Sequence, residues 1–92
     1  MISSFGDKDT RLLYETGSCR RFAAIARIAL RKLDMLAAAT QVETLRVPPG
    51  NHLEALVGNR LGQWSIRINQ QWRICFRWSG TNAEDVEIVD YH

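Results

Sequence analysis

The chain predicts an α+β fold in two layers: a twisted antiparallel sheet with two N-terminal helices packed on one face. Three observations point to it. Apolar residues recur with a helical period in the first half, the period changes to two in the second half, and 92 residues can build only one small core. A single domain is therefore expected over residues 1–92.

The elements follow in order. Residues 2–5 fit a short strand broken by Gly6. Asp7 or Asp9 can cap a first helix, which continues through Arg11-Leu12-Leu13-Tyr14-Glu15 and stops at Gly17. From Phe22 to about Ala39, apolar residues fall at Phe22, Ile25, Ala29, Leu33 and Leu36, the spacing of one helical face, with Arg27, Arg31 and Asp34 on the other side. Alanine and leucine are abundant there and Gly and Pro are absent, so propensity agrees with pattern.

Pro48-Pro49-Gly50-Asn51 marks a loop, after which the apolar pattern resumes at Leu53, Ala55 and Val57. Gly58-Asn59-Arg60-Leu61-Gly62 reads as a turn with Arg60 at its tip. Trp64, Ile66 and Ile68 then alternate with Ser65, Arg67 and Asn69, and Asn69-Gln70-Gln71 connects to a second alternating run. In that run Trp72, Ile74, Phe76 and Trp78 point one way, and Arg73, Cys75 and Arg77 the other. Ser79-Gly80-Thr81-Asn82 turns the chain into a last strand, Asp85-Val86-Glu87-Ile88-Val89, giving three or four antiparallel strands.

The formal net charge is only +2, but of twelve basic residues only Lys8 and Lys32 are lysine. Arginine presents a planar fork that matches phosphate oxygens, so the bias points to a phosphate or RNA partner; a GC-rich genome gives the same bias. Arg67, Arg73 and Arg77 are expected on the sheet face away from the helices, without an equal number of facing carboxylates, which makes that face a candidate anion site. The chain closes on Asp90-Tyr91-His92, an acid, a phenol and an imidazole able to hold, deliver and accept protons. A solvated polar terminus is the competing reading.

Cys19 and Cys75 form neither a disulfide framework nor a metal-ligand spacing. With no leader-like apolar segment and no run long enough to cross a bilayer, the expectation is a reduced, cytoplasmic protein. Cys19 reads as a loop residue. Cys75 shares the arginine face, but no histidine stands near it in sequence to activate it, and it reads as a packing residue. His52 reads as a loop histidine.

Trp64-Ser65-Ile66-Arg67-Ile68-Asn69, Gln71-Trp72-Arg73-Ile74-Cys75-Phe76 and Val86-Glu87-Ile88-Val89-Asp90-Tyr91-His92, with the Pro48-Pro49-Gly50-Asn51 loop and Leu53-Glu54-Ala55-Leu56, resemble the HigB branch of the RelE-like toxins over essentially the whole chain. Several blocks in order at the right spacing make the match specific. The resemblance implies the toxin half of a toxin–antitoxin pair that cuts messenger RNA in the ribosomal A site, paired with a HigA-like helix-turn-helix antitoxin that carries the DNA binding. It implies that Arg73 neutralises the scissile phosphate, Asp90 and His92 transfer protons, and Tyr91 holds or stacks on the nucleotide. The attacking group is the RNA 2′-hydroxyl, so no metal or other cofactor is implied. Arg60, Arg67, Gln71 and Arg77 are the expected substrate-binding residues.

This chain departs from better-known members in having Glu54 in place of a histidine, Val57 in place of a lysine and Gln71 in place of an asparagine. A glutamate differs from imidazole in charge and pKa range, so Glu54 enters the expected catalytic set as an acid/base group in its own right. Two other classes stay open: a non-catalytic binder like the gyrase-poisoning branch, and an inactive toxin that still forms a repressor complex with its antitoxin.

Overall fold

In the computed structural model, which describes residues 1–90, the first helix, α1, spans Lys8–Thr16. Asp7 stands before it in extended conformation, and its carboxylate accepts a hydrogen bond from the Thr10 amide at 3.1 Å, satisfying one of the donors that a helix start leaves open. Gly17 ends it at φ 82°, a left-handed cap that a Cβ would strain, with its N–H on the Leu13 carbonyl at 2.8 Å.

The second helix, α2, spans Ala26–Ala38 and starts later than the apolar pattern implies. Phe22 belongs to a separate 3₁₀ turn, Arg20–Phe22, and Ile25 is the residue before the helix. The apolar face survives the break, because a 3₁₀ turn also returns to the same side after three residues. Phe22, Ile25, Ala29, Leu33 and Leu36 are all buried, whereas Arg27, Arg31 and Asp34 are exposed.

Four strands follow: β1 (Glu54–Ala55), β2 (Trp64–Arg67), β3 (Trp72–Ser79) and β4 (Asn82–Asp90). They form one sheet in chain order, each pair antiparallel. The expected alternation sets the two faces, with Ile66, Ile74, Phe76 and Ile88 packed under the helices, although Ser65 and Cys75 on the other face are buried as well. Between β3 and β4 the register breaks: Cys75 faces Glu87 but Arg77 faces Glu84, so β4 carries one extra residue. Asp85, at φ 51°, sits in that bulge, which lets Ala83, Val86 and Ile88 all point inward although their spacing is uneven.

The N-terminal segment bridges in parallel to the outer edge of β4, Ile2 opposite Ala83 and Phe5 opposite Val86. Where it leaves, the buried Thr10 hydroxyl accepts the next edge donor, the Ile88 amide, at 3.0 Å. An edge that would otherwise present unpaired amides is thus closed by the chain itself. Gly6 permits the approach, since a Cβ there would lie 3.0 Å from the Asp85 carbonyl oxygen.

The expected alternation Leu53, Ala55, Val57 is not what forms. Leu53 and Leu56 are buried, while Ala55 and Val57 are exposed. β1 lasts only two residues before the chain turns through Gly58–Arg60, so Leu56, not Val57, is carried inward. The proline loop is also more structured than its composition implies. Asn51 is fully buried; its amide donates to the Leu45 carbonyl at 3.1 Å, and its side-chain oxygen accepts from Lys32 on α2. Burial and the neighbouring Arg31 lower the Lys32 pKa. No helix among the described residues is long and apolar enough to cross a membrane.

Candidate active site

On the sheet face away from the helices, register sets the order of side chains. Glu54, Ser65, Cys75 and Glu87 are successive cross-strand partners from β1 to β4, and Arg67 and Arg73 are partners in the next row. Ser65 and Cys75 are small and fully buried, so longer residues around them fold over the middle of the row. Arg73 reaches across to Ser65, its Nε donating to Oγ at 2.9 Å, while its Nη2 donates to the His52 carbonyl at 2.8 Å and lies 3.5 Å from Glu54 Oε1. Its side chain is only 11 % exposed, against 50 % for Glu54.

Arg67 and Arg73, like charges directly opposite, would repel if their heads met. They diverge. Arg67 Nε donates to the Asn69 carbonyl at 3.1 Å, and its Nη1 stands 3.5 Å from His52 Nε2. Arg60 is not an exposed tip: its Nη1 reaches Glu87 Oε1 at 2.7 Å and Gln63 Oε1 at 3.0 Å, which lays it over the sheet. Beside it a shallow depression opens, lined by Glu54, Ala55, Leu56, Val57, Asn59 and Arg60.

The expectation of too few facing carboxylates is overturned for Arg73 and Arg77, whereas Arg67 bonds to the Asn69 carbonyl and stands beside His52. Arg73 meets Glu54, Arg60 meets Glu87, and Arg77 lies 3.6 Å from Asp85. Glu54 reaches Arg73 from β1 across the small Ser65 of β2, Glu87 of β4 meets Arg60 from the turn, and the bulge brings Asp85 of β4 within reach of Arg77 on the adjacent β3. An RNA phosphate would meet polarised, partly compensated arginines and not a bare cationic sheet.

Glu54, Arg60 and Arg73 are gathered on one face about Cys75, and Arg67 joins Arg73 beside His52. Arg77 stands past the bulge from them, exposed and ion-paired. At the sheet end, Gln71 Nε2 donates to Asp90 Oδ2 at 3.1 Å. Asp90 is the register partner of Trp72, so by alternation it starts from the helix side, and Gln71 links it to the turn that precedes Arg73. Tyr91 and His92 lie outside the described residues. Among those described, no group of three His, Cys, Asp or Glu side chains is placed to hold a metal ion. What the face offers is a guanidinium whose plane is fixed by two scaffold acceptors, beside a half-exposed carboxylate. That pairing can hold a phosphodiester and place a proton acceptor next to it.

Sequence reasoning missed three contributors. Ser65 looked like a plain polar strand position, Asn51 a loop residue, and His52 a loop histidine whose ring was the feature of interest. Ser65 and the His52 backbone carbonyl accept hydrogen bonds from Arg73, and Asn51 pins the loop that supplies the carbonyl. No short motif signals any of them, because their bonding partners lie six or more positions away.

Cys75 is buried beneath these charges, and burial pushes its thiol pKa up despite the nearby Arg60 and Arg73, which act the other way. The protonated thiol is thus the form the fold prefers. Iodoacetamide at neutral pH should leave Cys75 unmodified in the native protein and label it in denaturant, as read by intact mass. Because the folded pKa is raised, the fold's stability should also decline as pH rises past the ordinary thiol range, an effect absent in Cys75→Ala. Rapid native labelling at pH 7 would contradict the burial.

The sequence and the fold have counterparts among known proteins. A family model described as "RelE-like toxin of type II toxin-antitoxin system HigB" matches residues 3–92. A protein of Vibrio cholerae named Toxin HigB-1 is 41 % identical over 80 residues, covering 85 % of this chain and 84 % of its own length. One of Proteus vulgaris named Endoribonuclease HigB is 35 % identical over an alignment of 94 positions that covers both chains fully. Two solved structures share the fold: the YoeB-YefM complex from Staphylococcus aureus (TM-score 0.59, 16 % identity, 100 % of this chain and 98 % of that one), and a YoeB/ParE toxin from Agrobacterium tumefaciens (TM-score 0.51, 22 % identity, 91 % and 87 %). With the family model spanning nearly the whole chain and relatives above 30 % identity matching 85 % and 100 % of it, this protein belongs to the HigB family of RelE-like toxins of type II toxin–antitoxin systems.

Proposed function

We propose that this toxin is an endoribonuclease that cuts messenger RNA held in the ribosomal A site. The observation that carries the reading is Arg73, clamped across the open sheet face 3.5 Å from Glu54. The full-length relative named an endoribonuclease supports it. In the reaction the RNA 2′-oxygen attacks the adjacent phosphorus, the 2′ proton passes to a base, and the 5′-oxygen of the next nucleotide leaves as it takes up a proton. A 2′,3′-cyclic phosphate and a 5′-hydroxyl result, with no metal needed. Arg73 neutralises the charge that grows on the phosphate oxygens. Glu54, Asp90 and His92 are the proton-transfer groups, Tyr91 holds the nucleotide, and Gln71, Arg60, Arg67 and Arg77 bind flanking phosphate or base. The partner that silences the protein is a HigA-like antitoxin.

Ribosome dependence has its own physical argument. A net charge of +2, with Arg60, Arg73 and Arg77 each beside a carboxylate, makes binding to free RNA weak and salt-sensitive. The ribosome supplies the positioning that the protein's charge does not. Primer extension on a message incubated with purified protein should show cuts only when ribosomes are translating it. Equal cutting of the naked message at physiological salt would contradict the ribosome requirement, and no cutting in either case would contradict the nuclease reading.

A further inference from the structure

The guanidinium of Arg73 is held by acceptors of the protein scaffold. Of its two forked edges, the side edge, Nε with Nη2, is spent on the protein: Nε on Ser65 Oγ at 2.9 Å and Nη2 on the His52 carbonyl at 2.8 Å. Two acceptors on one edge fix both the position and the plane of the head. Ser65 suits this task because it is fully buried on β2, a neighbouring strand, so its hydroxyl cannot wander and water does not compete for it.

The second acceptor is equally constrained. His52 sits at φ 46°, a left-handed conformation rare for a side chain, directly after the buried Asn51. Asn51 is tied to the Leu45 carbonyl at 3.1 Å and to Lys32 on α2. The helix layer thus fixes the loop, the loop fixes a carbonyl, and the carbonyl fixes the arginine.

We propose that Ser65, together with the backbone carbonyl of His52, is the positioning element of Arg73, and that the reaction rate depends on the Ser65 hydroxyl although that hydroxyl does not touch RNA. The inference rests on the nuclease reading for its effect on rate, but its geometry stands separately. A hydrogen bond to a charged group placed in this way is worth roughly a tenfold or larger change in rate when its loss lets the donor drift.

Two measurements on the whole protein test it. In ¹⁵N-edited NMR spectra the Arg73 Nε–H should give a sharp signal protected from water exchange, lost in Ser65→Ala and restored in Ser65→Thr, which keeps the hydroxyl. In single-turnover cleavage of ribosome-bound message, Ser65→Ala should be roughly tenfold slower at saturating complex with little change in half-saturation, and Ser65→Thr should recover most of the loss. Combined with Arg73→Lys, which has no Nε–H, Ser65→Ala should cost nothing further, whereas a merely structural serine would cost the same in both backgrounds. An unchanged Nε–H signal in Ser65→Ala overturns the clamp whatever the cleavage result. A lost signal with wild-type cleavage, or an undiminished penalty in the Arg73→Lys background, overturns its role in rate. If the wild-type protein cuts nothing, the nuclease reading fails, while the NMR arm still decides whether Ser65 holds Arg73.

Discussion

Arg73→Ala is expected to lower the rate of message cleavage on ribosomes by about 10²-fold or more, because it removes a fixed donor aimed at the phosphate charge that develops in the transition state. The fold should persist. Arg73 points away from the Trp72, Ile74 and Phe76 side of β3, and a hydroxyl, a loop carbonyl and a half-exposed carboxylate, all outside the apolar core, are among its partners. Arg73→Lys should recover only part of the rate. An ammonium keeps the charge near Glu54, but it has no planar edge to lie against Ser65 and the His52 carbonyl together. Cleavage rates and melting curves of the two variants decide the matter. A wild-type rate in Arg73→Ala removes Arg73 from the chemistry, and an unfolded Arg73→Ala protein makes it a structural residue.

That prediction draws on features the sequence displays unevenly. Legible features were those fixed within a few residues: the Asp7 cap, the Gly17 stop, the buried face from Phe22 to Leu36, and the alternation that sends Arg73 and Cys75 to the face opposite Trp72 and Ile74. Features that need cross-strand register were not. Glu54 meets Arg73 only because β1 pairs with β2 through Ser65, and Glu87 meets Arg60 only because the turn Gly58–Arg60 folds back over the sheet. Asp85 reaches Arg77 only where a bulge shifts β4 by one residue, and no pattern of period two encodes that. The start of α2 was misplaced because a 3₁₀ turn and an α-helix bury the same residues here, so an apolar stripe cannot tell them apart. Among the site residues, Arg73, Glu54, Arg60 and Arg67 converge, Gln71 and Asp90 meet at the sheet end, and the roles of Tyr91 and His92 rest on the family resemblance alone.

The largest effect on stability is expected from Phe22→Ala. Phe22 is 1 % exposed, its ring meets Trp72 edge-on with centroids 5.6 Å apart, and the Arg21 guanidinium lies 4.9 Å above it. Because it belongs to the separate turn before α2, no neighbouring helical side chain can slide over to fill its place, so truncation should leave a cavity between helix and sheet. The cost should be about 3–5 kcal/mol. Set against a total of roughly 5–15 kcal/mol for a typical domain, that is a fall in melting temperature of about 15–30 °C for a chain of this size. Part of the loss belongs to the ring pair, so a double-mutant cycle with Trp72→Ala should return a coupling of about 0.5–1.5 kcal/mol. Trp72 is the first residue of β3, between Gln71 and Arg73, and the same substitution should loosen the strand start that carries both. Cleavage measured well below the lowered melting point should accordingly fall even where the protein is still folded. A variant that melts within a few degrees of wild type would mean that the Phe22 ring is not wedged between the layers and that the helix–sheet contact is carried by Leu33 and Leu36.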